Sequence, residues 1–142
     1  MVIFKRLNFL KGVSFFILFS ICSVLSYAYA QGAIYKEIMP EEAYSLIQKQ
    51  KENPDFMIID VRTPEEFETE RIMGAVNINI RSKSFEDDVK ALQRDKIYLI
   101  YCRSGNRSGK ALALFKHLGF NHVYNMAEGI NGWLKAGYPV IR

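Results

Sequence analysis

The chain has 142 residues, is 49% hydrophobic and 24% charged, and carries a formal net charge of +4. That length predicts one domain, and that composition places it among ordinary globular proteins rather than low-complexity or repeat chains. Lys and Arg are interleaved with Asp and Glu instead of gathered into a block, so no nucleic-acid partner is expected.

The first thirty residues differ from the rest. Lys5, Arg6 and Lys11 stand there without any acid, followed by a charge-free stretch from Gly12 to Tyr35 whose core is VSFFILFSICSVLSY. The run ends in Ala28-Tyr29-Ala30, the small-x-small pattern of a signal-peptidase site, so residues 1–30 are expected to be a cleaved signal peptide and 31–142 the mature domain. Export to the periplasm or beyond follows, with no stable membrane insertion after cleavage. The rival is an uncleaved anchor over residues 12–35, which reaches the roughly 20 residues a span requires. Cys22 follows Ile21 rather than a small residue, which disfavours lipid attachment. Removal of the three cations leaves a net charge of +1, and it also removes Cys22. Cys102 then remains as a lone thiol, unable to form an internal disulfide in a compartment that permits disulfides.

From Met39 onward, short apolar runs alternate with helical patterns. MPEEAYSLIQKQ has Pro40 at a first helical position, Glu41 and Glu42 in the first turn, and Ala43, Leu46 and Ile47 on one face. FMIIDV, residues 56–61, reads as a buried strand, and the following TPEEF opens a helix with Thr63 and Glu66 at capping-box spacing. AVNINI, from Ala75 to Ile80, reads as a weaker strand, and SFEDDVKALQ as a helix with Ser84 at its N-cap and Phe85, Val89 and Leu92 on an apolar stripe. IYLIYC is a second fully apolar strand, SGKALALFKHLGF a helix beginning at Ser108 and ending at Leu118-Gly119, HVYN a short strand and GINGWLKAG a final helix. Such alternation argues an α/β fold with a mostly parallel central sheet and helices on both faces. Ligands bind beyond the carboxyl ends of the strands in such sheets. Asp60 and Cys102 end the two apolar strands, which places a carboxylate and a thiol on one rim.

Between the second apolar strand and its helix lies Cys102-Arg103-Ser104-Gly105-Asn106-Arg107-Ser108. A thiol is a nucleophile only as thiolate, which nearby cations, backbone N–H groups and helix N-termini stabilise. Arg103 and Arg107 supply charge, Gly105 permits the positive φ of an anion-binding nest, and Ser104 and Ser108 offer hydroxyl donors. The following helix directs its positive dipole end to the same place. The plainer alternative is a turn made by Gly and Ser, with Asn106 or Ser108 as a helix cap and both arginines solvated.

The seven-residue loop resembles the active-site loop of single-domain rhodaneses, sulfurtransferases that carry sulfur as a cysteine persulfide. IIDVRTPEEFETERIMGAVNI resembles the family's Asp-x-Arg stretch with its acidic helix and Gly-Ala turn, and EGINGWLKAGYPV is similar to its closing signature. These three motifs, in order, extend the resemblance from about Tyr35 to Val140. It implies a rhodanese-like fold and a two-step transfer in which Cys102 takes sulfane sulfur from a donor such as thiosulfate and passes it to cyanide or a thiol. No metal or organic cofactor is implied, and the expected partners are small sulfur-containing substrates. Arg103, Ser104, Gly105, Asn106, Arg107 and Ser108 would bind substrate, with Asp60 and Arg62 either orienting the loop or forming a structural salt bridge.

Two other readings stand beside this one. A non-catalytic module of the same fold would bind a partner or sense oxidants through Cys102. Phosphatase or arsenate chemistry, found on related folds, is disfavoured by the loop length: four residues separate Cys102 from Arg107, one fewer than those phosphatases use. Trp133 is read as a packing residue, and His117 and His122 as structural or solvent-facing. Where many family members have Gly-His-Ile-Pro-Gly-Ala, this chain has Glu70-Arg71-Ile72-Met73-Gly74-Ala75, and Glu128-Gly129 stands where two glycines are common.

Overall fold

A computed structural model describes residues 32–142. The expected signal peptide over residues 1–30 lies outside the described residues, as does most of the 12–35 segment. Ile34 and Tyr35, the end of that charge-free run, belong to a strand of the domain. Among the described residues no helix is long and apolar enough to cross a membrane.

The elements are β1 (Ile34–Ile38), α1 (Pro40–Gln50), β2 (Phe56–Asp60), α2 (Pro64–Thr69), β3 (Ala75–Asn77), α3 (Phe85–Lys90), β4 (Ile97–Tyr101), α4 (Asn106–His117), β5 (His122–Met126) and α5 (Gly129–Lys135). The strands form one sheet in the order β1-β5-β4-β2-β3, and every pairing is parallel. The two continuous apolar runs occupy the centre, because a strand covered by helices on both faces has no side free for polar residues. Alternate β4 side chains therefore enter opposite cores. Tyr98 and Ile100 pack with Ile59, Phe85, Val89, Phe115 and Phe120 on the α3 and α4 face. Leu99 and Tyr101 pack with Ile58, Ala43, Ile130 and Trp133 on the α1 and α5 face.

Local signals act largely as read. Pro40 begins α1 with Glu41 and Glu42 in its first turn. Thr63 and Glu66 form a capping box in which each side chain accepts the other's backbone N–H. Trp133 is buried, donates from Nε1 to the Pro139 carbonyl at 3.0 Å and packs against the stacked pair Tyr44 and Tyr138.

Four readings are corrected. β1 was not anticipated: it is an edge strand, IYKEI, with only Ile38 fully buried, so its apolar signal is weak and its charged residues face solvent. The AVNINI strand stops at Asn77, although Ile78 and Ile80 still donate to the carbonyls of Asp60 and Val61. Ser84 does not cap α3 with its side chain. Its own backbone is already helical, and its hydroxyl donates to Asp88 at 2.9 Å, while the upstream Ser82 hydroxyl accepts the Ser84 N–H. Finally, α4 begins at Asn106 rather than Ser108, with Gly105 at the N-cap in the left-handed region at φ +86. Residues 106–108 are thus its first turn.

Candidate active site

The register that pairs Asp60 with Tyr101 puts the carboxyl ends of β2 and β4 side by side, and both chains leave the sheet there. Asp60 and Cys102 share this rim, as the pattern of apolar strands required. At the rim the β4 chain turns into α4 through the loop, and the turn is held by α5. The N–H groups of Ile130 and Asn131 donate to the carbonyls of Cys102 and Arg103 at 2.9 and 3.1 Å. With those carbonyls tied outward, the succeeding N–H groups are free to face the sulfur.

That approach is close enough to demand glycine. A Cβ at Gly129, where φ is +55, would lie 2.3 Å from the Cys102 carbonyl oxygen. Its neighbour Glu128 also adopts positive φ, +61, and is the sole non-glycine residue to do so among those described. The Glu128-Gly129 departure therefore keeps the backbone bend and carries the strain on Glu128.

Cys102 is buried, at 1% exposure, and its Sγ lies 3.4 Å from the Ser108 hydroxyl. Burial works to raise the thiol's pKa. It is outweighed by the Ser108 hydroxyl and by the backbone N–H groups of Ser108, Ser104 and Gly105, so the pKa lies below its usual value. The earlier start of α4 explains the geometry: Ser108 sits in the first turn, where N–H groups have no intrahelical partner. Ser108 is completely buried, and its hydroxyl can direct its single proton to Sγ or to the Gly105 carbonyl, 3.2 Å away.

The arginines divide into three environments. Arg107 is clamped by Glu66, with Nη1 to Oε2 at 2.7 Å and Nη2 to Oε1 at 2.8 Å. This pair holds the Glu66 carboxyl down at about 2, and Arg107 is in turn raised, first by Glu66 and further by the Cys102 thiolate. Arg62 is nearly inaccessible, forks onto Asp60 at 2.7 to 3.0 Å and donates to the Glu70 carbonyl at 2.5 Å. Burial opposes its charge, but Asp60 prevails and raises it. Arg103 is exposed and makes no ion pair among the described residues.

Beside the loop opens a cavity of about 230 Å³. Arg103 lines it from the loop, Ile130 and Asn131 from α5, and Glu66, Thr69 and Glu70 from α2 and its end, with Arg62 beneath the same rim. Of the expected loop residues, Ser104, Gly105 and Ser108 surround the sulfur, Arg107 acts on it from the Glu66 clamp, and Arg103 faces the cavity. Asn106 is exposed at the start of α4 and makes no hydrogen bond to Cys102. The Asp60–Arg62 pair is a buried structural bridge at the rim, and no direct contact joins it to the sulfur. His117 is exposed and His122 half-buried, at the far end of β5 from the loop. Glu66 and Glu70 were not anticipated as site residues. Glu66 announced itself only as half of a capping box, and its bond to a residue 41 positions later had no sequence signal.

This α/β architecture, with a thiol cradled by N–H groups at the carboxyl rim of a parallel sheet, defines the class. Residues 39–136 match the family described as the rhodanese-like domain, and the chain belongs to it. It is 30% identical over 100 residues to a sulfurtransferase of Allochromatium vinosum, covering 70% of this chain and 92% of that protein. The thiosulfate sulfurtransferase GlpE of Actinobacillus succinogenes is 28% identical over 106 residues, covering 75% and 90% of the two chains. The solved structure of a rhodanese-related protein from Thermoplasma volcanium is similar with a TM-score of 0.64 and 34% identity, covering 75% and 98%. Against the tRNA uridine(34) hydroxylase of Legionella pneumophila, 32% identical over 103 residues, the match spans only 39% of that longer protein.

Proposed function

We propose that this rhodanese-like protein transfers sulfane sulfur from a donor such as thiosulfate to cyanide or a thiol, through a persulfide on Cys102. The observation that carries the reading is the buried Cys102 sulfur with the Ser108 hydroxyl 3.4 Å away, at the start of a helix whose N–H groups, with that hydroxyl, favour the thiolate. The likeness to the thiosulfate sulfurtransferase of Actinobacillus succinogenes supports thiosulfate as the donor class.

In the first step the Cys102 thiolate attacks the outer sulfur of thiosulfate. A new S–S bond forms, the donor's S–S bond breaks, and sulfite leaves with the bonding electron pair as a dianion. Arg103, without an ion pair among the described residues, faces the cavity where that charge develops. The persulfide anion, and then the returning thiolate, are held by the Ser104, Gly105 and Ser108 N–H groups and the Ser108 hydroxyl, preorganised as in an oxyanion hole. In the second step the acceptor's nucleophile bonds to the outer sulfur and the Cys102 thiolate departs, closing a ping-pong cycle.

Incubation with thiosulfate alone is expected to add one sulfur atom to Cys102 by mass spectrometry, and further cyanide to release thiocyanate. Full activity in Cys102→Ser would sink the mechanism. A protein that takes sulfur from no donor, yet binds a partner without needing Cys102, would favour the binding-module reading. We further propose that the domain works after export, a reading supported by the basic, apolar and Ala-Tyr-Ala sequence of the first thirty residues. Mass analysis of the exported protein is expected to show a mature chain beginning at Gln31.

A further inference from the structure

The cavity beside the loop holds two kinds of polar side chain. Arg62, Glu66 and Thr69 are already engaged, with Asp60 and the Glu70 carbonyl, with Arg107 and the Thr63 N–H, and with the Glu65 carbonyl. Glu70, Arg103 and Asn131 line the same cavity, and their side chains make no hydrogen bond of 3.5 Å or less among the described residues. The Glu70 carboxylate has one ion pair, a loose one at 3.7 Å to Arg142, whose side chain is 72% exposed. Its own side chain is only 24% exposed.

A cavity meant for inorganic dianions alone would gain from uniform positive charge, since a carboxylate in the wall repels them. Here the charged lining side chains, Arg62, Arg103, Glu66 and Glu70, sum to zero. With Arg107 answered by Glu66 and Arg62 by Asp60, there remain one guanidinium, Arg103, and one carboxylate, Glu70, held only at 3.7 Å by the exposed Arg142. That pattern complements a molecule carrying both signs. We propose that the sulfur acceptor is a small thiol bearing an ammonium group, which Glu70 binds at the cavity wall while Arg103 receives the acceptor's carboxylate when it has one. Glu70 is then a specificity-determining residue for the second half-reaction.

This inference rests on the persulfide reading. The acceptor thiol passes its proton to the persulfide anion, its sulfur then bonds as thiolate to the outer sulfur, and the S–S bond to Cys102 breaks. The products are the acceptor persulfide and the Cys102 thiolate, so atoms and charge balance without any added oxidant or reductant. The Glu70–ammonium contact brings the thiol to the cavity and takes no part in bond making.

The test uses full-length protein loaded with thiosulfate, freed of donor, and discharged in single turnovers. Four thiols serve as probes: cysteamine with ammonium only, 3-mercaptopropionate with carboxylate only, cysteine with both and 2-mercaptoethanol with neither, each compared at equal thiolate concentration. Cysteine and cysteamine are expected to discharge the persulfide about two- to fivefold faster than 2-mercaptoethanol, the range of a partly exposed ion pair. Glu70→Gln is expected to erase the advantage of cysteamine over 2-mercaptoethanol, and Glu70→Lys to turn the preference toward 3-mercaptopropionate. Equal rates for cysteamine and 2-mercaptoethanol in the native protein, or an advantage that survives both variants, would overturn this inference and leave the persulfide mechanism intact. If no persulfide forms on Cys102 at all, the parent reading fails, and this one with it.

Discussion

The Glu66 carboxylate grips the Arg107 guanidinium in a two-bond fork, 2.7 and 2.8 Å, across 41 residues of chain. Glu66 is itself pinned, because Oε2 also accepts the Thr63 N–H at 3.1 Å in the capping box of α2. A local helix-start device thereby fixes the charge beside the nucleophile, and the start of α2 is joined to the start of α4.

The clamp sets a pH dependence. The Glu66 carboxyl is held at about 2, below its ordinary 4.5, so the stabilisation is fully present above the ordinary value and is lost as pH falls through about 2. The whole difference corresponds to about 3 kcal/mol, and the partial exposure of both side chains reduces the expected contribution to about 1–2 kcal/mol. Denaturant titrations from neutral to acid pH are expected to show this loss in the native protein and a flatter acid limb in Glu66→Gln. Identical acid limbs would mean that the pair contributes nothing.

Ser108→Ala removes the hydroxyl 3.4 Å from the sulfur and leaves the N–H groups in place. The alkylation rate of Cys102 by iodoacetamide is expected to rise with pH along a curve whose midpoint is lowered by the Ser108 hydroxyl and the surrounding N–H groups. In Ser108→Ala that midpoint moves upward, and the rate near neutral pH falls several-fold. An unmoved midpoint would show that the N–H groups alone set the thiolate.

Asp60 and Arg62 predict an asymmetric pair of mutants. Asp60→Ala leaves a buried guanidinium without its carboxylate, at a cost of about 3–5 kcal/mol. Replacement of both by apolar residues, Asp60→Leu with Arg62→Met, removes both buried charges and is expected to recover most of that loss in chemical denaturation, although the Glu70 carbonyl loses its donor. Equal destabilisation in the single and double variants would refute the idea that the unpaired charge is the cause.

Legibility in the sequence followed physical range. The two apolar strands, the capping box at Thr63 and the loop around Cys102 are local patterns, and each formed where it was read. The β1 strand escaped because an edge strand buries few side chains and so carries little periodicity. The start of α4 was misplaced by two residues because Gly105, expected inside a nest, also serves as the N-cap. The clamp of Glu66 on Arg107 and the seating of α5 on the Cys102 carbonyl join residues far apart in the chain, and no spacing rule announces such contacts.

The last prediction concerns the bend that makes this seating possible. Gly129→Ala would place a Cβ 2.3 Å from the Cys102 carbonyl oxygen and 2.6 Å from the Arg103 carbonyl carbon, both backbone atoms that cannot turn aside. The loop must shift, the Ile130 and Asn131 hydrogen bonds to it must lengthen, and the N–H groups around the sulfur lose their aim. A stability loss of about 3 kcal/mol or more is expected, with persulfide formation falling further than stability alone explains. Glu128→Gly acts in the opposite sense: it relieves a left-handed residue by about 1 kcal/mol but adds a similar backbone entropy cost, so its stability should stay within about 0.5 kcal/mol of the native protein. Thermal unfolding and thiosulfate-dependent sulfur loading, measured on both variants, are expected to separate them. A tolerant Gly129→Ala would mean that α5 does not hold the loop.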